Sequence, residues 1–241
     1  MAELEEGQLD VDVEHVTVQG VPAVHARPDG MPKSGIVLHP DIMGLRPLFD
    51  DLARRLATHG FAVCAPEPFA HAPADVLAAT DPSARMAYVK NLDDDVQLSD
   101  LEASADYLVI HDDVNELAVV GFCMGGMQVL KAAATGRFDR AVAFYGMIRV
   151  PDDWIGDTTR QPLDTAADVC PTLAIFGGVD PYSPPADIQA LRDAWADRPD
   201  CEIVVYADAD HGFVHAPERP THRADDAADA WRRVLKFLDP A

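Results

Sequence analysis

The sequence predicts a single α/β domain built on a largely parallel sheet, and three observations carry that prediction. Short apolar runs alternate with helix-forming segments from residue 35 to the carboxyl end. The runs are apolar throughout instead of alternating, as strands buried on both faces must be. No internal repeat or low-complexity linker divides the 241 residues, a length that buries one sizeable core.

Each element has its own justification. Residues 10–18 (Asp-Val-Asp-Val-Glu-His-Val-Thr-Val) alternate with period two, the mark of a half-buried strand. A second short strand follows near 21–26, with Gly20 at the turn and Pro28-Asp29-Gly30 closing it. Residues 35–38 (Gly-Ile-Val-Leu) form a compact apolar strand. A helix is expected over 47–59, where Leu48, Leu52 and Leu56 make a stripe and Asp50 and Asp51 stand four residues before Arg54 and Arg55. Gly60 caps it, and 61–65 is the next buried strand. Residues 66–83, rich in Pro and Ala, read as an irregular excursion. A long helix over 92–110, a strand at 117–120, a helix over 124–135 and a strand at 140–145 come next. The 146–169 segment reads as a long loop carrying Trp154, and loops of that length usually serve as lids or binding loops. A strand at 172–176, a helix over 184–196, a strand at 202–206 and a helix over 221–238 complete the chain. Residues 1–9 are expected to be a mobile acidic segment.

Composition excludes several function classes. Asp and Glu number 41 against 19 Lys and Arg, a formal net charge of -22. Nucleic acid is therefore not an expected partner, because phosphate binding needs a basic footprint. So acidic a surface repels itself at low salt and is relieved by screening. A salt-tolerant source and a GC-rich genome explain that acidity equally well. Nothing approaches the roughly 18 consecutive apolar residues of a membrane span, and the start lacks the basic and apolar regions of a signal peptide. A cytoplasmic protein, free of membranes, is the expectation. Cys64, Cys123, Cys170 and Cys201 are scattered without a CxxC pair, so neither a disulfide framework nor a zinc knuckle is indicated.

The strongest local signal is Gly121-Phe122-Cys123-Met124-Gly125-Gly126, between an apolar strand and an Ala-rich helix. This is the context of a nucleophile elbow, G-x-S-x-G with Cys in place of Ser. Small residues two positions either side let strand and helix approach, and the helix N-terminus favours negative charge on the sulfur and on an oxyanion. A dinucleotide-binding loop would need Gly where Cys123 stands. A buried cysteine that happens to begin a helix is the plainer alternative.

Two further signals follow strands. Phe176-Gly177-Gly178-Val179-Asp180-Pro181 places a carboxylate just beyond a strand end, where it could orient an imidazole or simply serve a turn. Tyr206-Ala207-Asp208-Ala209-Asp210-His211-Gly212-Phe213 presents His211 in the loop after the last strand. The chain order of nucleophile, acid and base is that of α/β-hydrolases. His211, His215 and His222 with Asp208 and Asp210 lack the helical spacing of a zinc motif, so no metal is expected.

With these motifs the chain resembles the dienelactone hydrolase family over roughly residues 10–238. The resemblance rests on Leu38-His39-Pro40-Asp41-Ile42-Met43-Gly44, Ala65-Pro66-Glu67, the Cys123 elbow, the turn before Asp180 and His211-Gly212-Phe213. It implies one α/β-hydrolase domain without a large cap, hydrolysis of an ester or lactone, and no cofactor. It further implies Cys123 as nucleophile, His211 as proton relay, Asp180 as its orienting acid, and Ile42 and Met124 as backbone oxyanion donors. Asp41 stands where the family carries a thiol-activating Glu, and His215 where it often carries an Arg that holds a substrate carboxylate. Arg85 could be another carboxylate-binding Arg or a surface charge. Tyr145 and Phe213 are further substrate-binding candidates, Tyr145 equally a packing residue. Trp154 could cover the site or anchor a neighbouring surface.

The expected function is cleavage of a small ester or lactone through a Cys-His-Asp triad and a thiolester, in a monomer or small homo-oligomer. A general carboxylesterase or thioesterase is the enzymatic alternative, and a non-catalytic scaffold the alternative from another class.

Overall fold

In a computed structural model describing residues 4–239, eight strands form one sheet in the order β1-β2-β4-β3-β5-β6-β7-β8. β1 (Val11–Val18) and β2 (Val21–Pro28) form an antiparallel hairpin that joins β4 (Phe61–Pro66) antiparallel. The remainder is parallel: β4, β3 (Ser34–His39), β5 (Leu117–Phe122), β6 (Arg140–Phe144), β7 (Thr172–Gly177) and β8 (Glu202–Tyr206). Every residue of β3, β4, β5 and β7 is buried, which is why those segments are apolar on both faces.

The pleat sorts the strand side chains between two cores. Ile36, Leu38, Val120, Phe122 and Phe144 face α1 (Pro47–Thr58) and α7 (Ala224–Leu238) through Phe49, Leu52, Trp231 and Val234. Val37, Val119, Ala143 and Phe176 face α4 (Asp94–Asp112) and α6 (Pro185–Ala194) through Leu101, Leu108, Ile188 and Leu191. α5 (Met124–Ala132) is buried along its whole length. Its Lys131 Nζ donates to both oxygens of buried Asp94 on α4 at 2.8 and 2.9 Å. Asp94 also accepts from Gln128 Nε2 at 2.9 Å and from the Arg160 N–H at 2.6 Å. One buried carboxylate thus ties α4, α5 and the long 146–169 loop together.

Two segments differ from expectation. Residues 66–83 are not wholly irregular: α2 (Ala74–Leu77) and the start of α3 (Pro82–Tyr88) lie there, the latter capped by Asp81 accepting from the Ser83 N–H. Residues 4–9, expected to be mobile, dock on α1, while the rest of that acidic segment, 1–3, lies outside the described residues. Leu4 is buried, its carbonyl accepts from Arg55 at 2.8 Å, and the Gly7 N–H donates to Thr58 Oγ1 at 2.7 Å. No described helix is long and apolar enough to cross a membrane.

Register places the functional loops side by side. His39 pairs with Gly121, Phe122 with Phe144, Phe144 with Ile175, and Gly177 with Tyr206. The carboxyl ends of β3, β5, β6, β7 and β8 are therefore level, and each chain segment leaves the sheet at the same edge.

Candidate active site

Cys123 is the single residue between β5 and α5, and it makes the turn with φ 57° and ψ -119°. A side-chain-bearing residue held there costs about 1–3 kcal/mol, so its surroundings must impose it. The Cys123 N–H donates to Phe144 O at 3.0 Å, and its own carbonyl accepts from the Met127 N–H at 3.0 Å. The glycines of the motif are steric requirements. A Cβ on Gly121 would stand 2.5 Å from Gly125 O, and one on Gly125 would stand 2.4 Å from Pro40 O. Among the described residues no other group accepts from the N–H of Met124 or of Ile42.

His211 follows β8 and reaches across to β7. Its Nδ1 donates to Asp180 Oδ2 at 2.9 Å, and the Asp180 carboxylate is fully buried. Asp180 Oδ1 accepts from the Tyr182 N–H at 2.8 Å, which fixes the acid in its turn. Burial works against a charged imidazole here. The charges and hydrogen bonds of Cys123 and Asp180 outweigh it and raise the His211 pKa to about 10. The elbow, the β7 turn and the β8 loop thus bring Cys123, Asp180 and His211 together.

Cys123 and His211 line a pocket of about 170 Å³ whose walls are mainly Ile42, Met86, Met147, Trp154 and Tyr182. Trp154, on a short 3-10 turn (Asp152–Trp154), is buried and forms part of that wall. Burial raises the thiols of the other three cysteines, Cys64 to about 12 and Cys170 to about 11, with Cys201 moved in the same direction. No group of three or more His, Cys, Asp or Glu among the described residues could hold a metal ion.

Four expected substrate contacts lie elsewhere than expected. Arg85 is buried against Glu67 at 3.1 Å and the Leu77 carbonyl at 2.6 Å, over the Phe69 ring, so α3 reaches the pocket through Pro82 and Met86 instead. Tyr145, Phe213 and His215 are fully buried beneath the pocket and present no surface to a substrate. Asp41, expected beside the thiol, is saturated by other donors. Arg46 binds both its oxygens at 2.7 and 2.9 Å, His215 Nε2 stands at 2.8 Å, and the Met43 N–H donates at 2.9 Å. Burial opposes its ionisation, but His215 and Arg46 prevail and hold the carboxyl far below the usual range, which leaves a poor base.

The residue that sequence reading missed is Arg219. It is the one permanent cation on the pocket wall among the described residues, one-third exposed, with a long 3.5 Å contact to Asp41 Oδ2. It lies four residues beyond His215. Proximity to His211 in the loop was the available signal, but that loop has no periodicity to say which way its side chains point.

A level parallel sheet, a strained strand-to-helix turn at Cys123 and a His211–Asp180 pair at the same sheet edge define an α/β-hydrolase fold. More narrowly, residues 21–241 match the dienelactone hydrolase family model, and the chain belongs to that family. It is 34% identical over 225 residues to the "Putative carboxymethylenebutenolidase" of Escherichia coli (strain K12), covering 90% of this chain and 82% of that one. It is 31% identical to the carboxymethylenebutenolidase of Rhodococcus opacus, covering 91% and 86%. Among solved structures, a "Putative Dienelactone Hydrolase" from Klebsiella pneumoniae superposes with a TM-score of 0.86 at 29% identity, covering 95% and 98%. The chain is thus an enzyme of the carboxylic ester hydrolase type.

Proposed function

We propose that this hydrolase cleaves a small ester or lactone carrying an anionic group, through a Cys-His-Asp triad. The observation that carries the reading is His211, bonded to buried Asp180 and sharing the wall of one apolar pocket with Cys123. The Cys123 thiolate attacks the carbonyl carbon, and the resulting oxyanion accepts from the N–H groups of Met124 and Ile42. The carbon–oxygen bond breaks, and the departing alkoxide takes the proton from His211 Nε2. Water then attacks the thiolester, gives its proton to His211, and the thiolate leaves.

A lactone suits a sulfur nucleophile. Its leaving oxygen stays tethered to the acyl group, and where it departs as an enolate, without taking the proton of His211, it can accept the proton of the water that resolves the thiolester. Arg219 supports an anionic substrate, since a planar guanidinium on an apolar wall pairs well with a carboxylate. The test is hydrolysis of p-nitrophenyl acetate, a simple unsaturated lactone and a carboxylate-bearing dienelactone by wild type and Cys123→Ala. Preference for the carboxylated lactone is expected, with all turnover lost in the variant. A preference for the neutral acetate points instead to a general esterase.

A further inference from the structure

Below the pocket floor runs a chain of buried polar side chains that takes no part in the steps above. His215 Nε2 faces Asp41 Oδ2 at 2.8 Å, and His215 Nδ1 faces the Tyr145 hydroxyl. Asp41, paired with Arg46, is ionised and can only accept. The His215 proton therefore sits on Nε2, Nδ1 is bare, and the Tyr145 O–H donates to it. Burial lowers the pKa of this imidazole and outweighs Asp41, which favours the uncharged ring.

The three groups come from three different loops. Asp41 follows β3 and directly precedes Ile42; Tyr145 follows β6, two residues before Met147; His215 follows β8, four residues after His211. Two of these loops need holding. Tyr145 has φ 37°, a conformation that side-chain-bearing residues keep only when their surroundings over-determine it. Asp41 Oδ1 accepts from the Met43 N–H, so this carboxylate fixes the turn that presents the Ile42 N–H.

We propose that His215 is a positioning residue, a hydrogen-bonded cross-brace that ties the β6 and β8 loops to the turn carrying the Ile42 N–H. The inference rests on the oxyanion role given to Ile42 above. Arg219 reaches Asp41 only at 3.5 Å and is partly solvated, so the brace acts on the turn more than on that cation. Loosening it weakens a bond made in the transition state, and kcat falls while KM for a neutral ester stays.

Three variants test this. His215→Phe keeps a ring and removes both hydrogen bonds, His215→Gln keeps an amide that can donate and accept, and Tyr145→Phe cuts one arm. On p-nitrophenyl acetate, His215→Phe should lower kcat about 10- to 100-fold with KM within about threefold. His215→Gln should recover much of the loss, and Tyr145→Phe should fall between. A folded His215→Phe with wild-type kcat, or with raised KM and unchanged kcat, overturns the proposal. If that variant does not fold, wild-type kcat in Tyr145→Phe overturns it.

Amide hydrogen exchange gives a readout independent of turnover. Peptides covering 39–46 and 144–149 should exchange at least about fivefold faster in His215→Phe, or in Tyr145→Phe if the former does not fold, with the β1–β2 hairpin unchanged. Unchanged exchange at 39–46 overturns the brace even in an active esterase. Faster exchange there in a protein that hydrolyses no ester supports the brace and counts against the ester reading alone.

Discussion

Arg219→Met tests the assignment of an anionic substrate, because it keeps an apolar stem and removes the pocket's permanent cation. A hydrogen bond to a charged group contributes about 1.5–3 kcal/mol, or about 13- to 160-fold in rate. Two features place Arg219 at the low end of that range. Its side chain is 32% exposed, so water screens the charge, and Asp41 Oδ2 at 3.5 Å already offsets part of it. The expected loss is therefore about tenfold in kcat/KM for an ester bearing a carboxylate, such as mono-p-nitrophenyl succinate. The neutral p-nitrophenyl acetate should change by less than about twofold, since it makes no use of the charge. Arg219→Lys should recover only part of the loss, because an ammonium lacks the guanidinium fork. Steady-state kinetics on the two esters decide the matter. Equal losses on both, or no loss on the anionic one, would refute the reasoning.

Other consequences are open to measurement. Lys131→Met leaves Asp94 buried without its cation, which should cost about 3–5 kcal/mol in urea melts and lower Tm by about 6–20 °C; a loss below about 1 kcal/mol contradicts the assigned role. Gly125→Ala drives a Cβ to within 2.4 Å of Pro40 O and 2.5 Å of His39 O, backbone atoms that yield little. It should destabilise the fold by about 1–3 kcal/mol and, by displacing the Ile42 turn, lower kcat about tenfold or more; wild-type kcat there contradicts that coupling. His211 is raised from 6.5 to about 10, so its imidazolium survives through neutral pH and is lost as pH rises through about 10. The alkaline limb of kcat/KM should lie near that value. In Cys123→Ala the ring loses its sulfur partner, and its NMR titration should move well below 10; a titration still near 10 would contradict the pairing.

Much of the fold was legible because burial on both sheet faces leaves a simple mark. The apolar runs at 35–38, 61–65, 117–120 and 172–176 all became central strands, and the stripe of Leu48, Leu52 and Leu56 became α1. The elbow was legible for a stronger reason: Gly121 and Gly125 are demanded by close backbone contacts, so the motif encodes geometry directly. His211 and Asp180 could be placed because strand ends level at one edge restrict where their loops emerge. Side-chain direction within loops was not legible. Asp41 was expected at the thiol, yet Arg46, five residues on, and His215, 174 residues on, claim it. Arg85 looked available until Glu67 and Phe69 were brought over it by the fold. Docking of residues 4–9 depends on one apolar side chain, Leu4, on the Glu6–Arg54 ion pair and on backbone groups bonded to side chains of α1, none of which leaves a periodic trace.

The most direct test of the central claim is mass spectrometry of the enzyme quenched during turnover of p-nitrophenyl acetate, with Cys123→Ala in parallel. An acetyl group on the peptide carrying Cys123 in wild type, with neither adduct nor turnover in the variant, is the predicted result. Turnover that survives in Cys123→Ala, or an acetyl group carried on another residue, would contradict a sulfur nucleophile at the elbow.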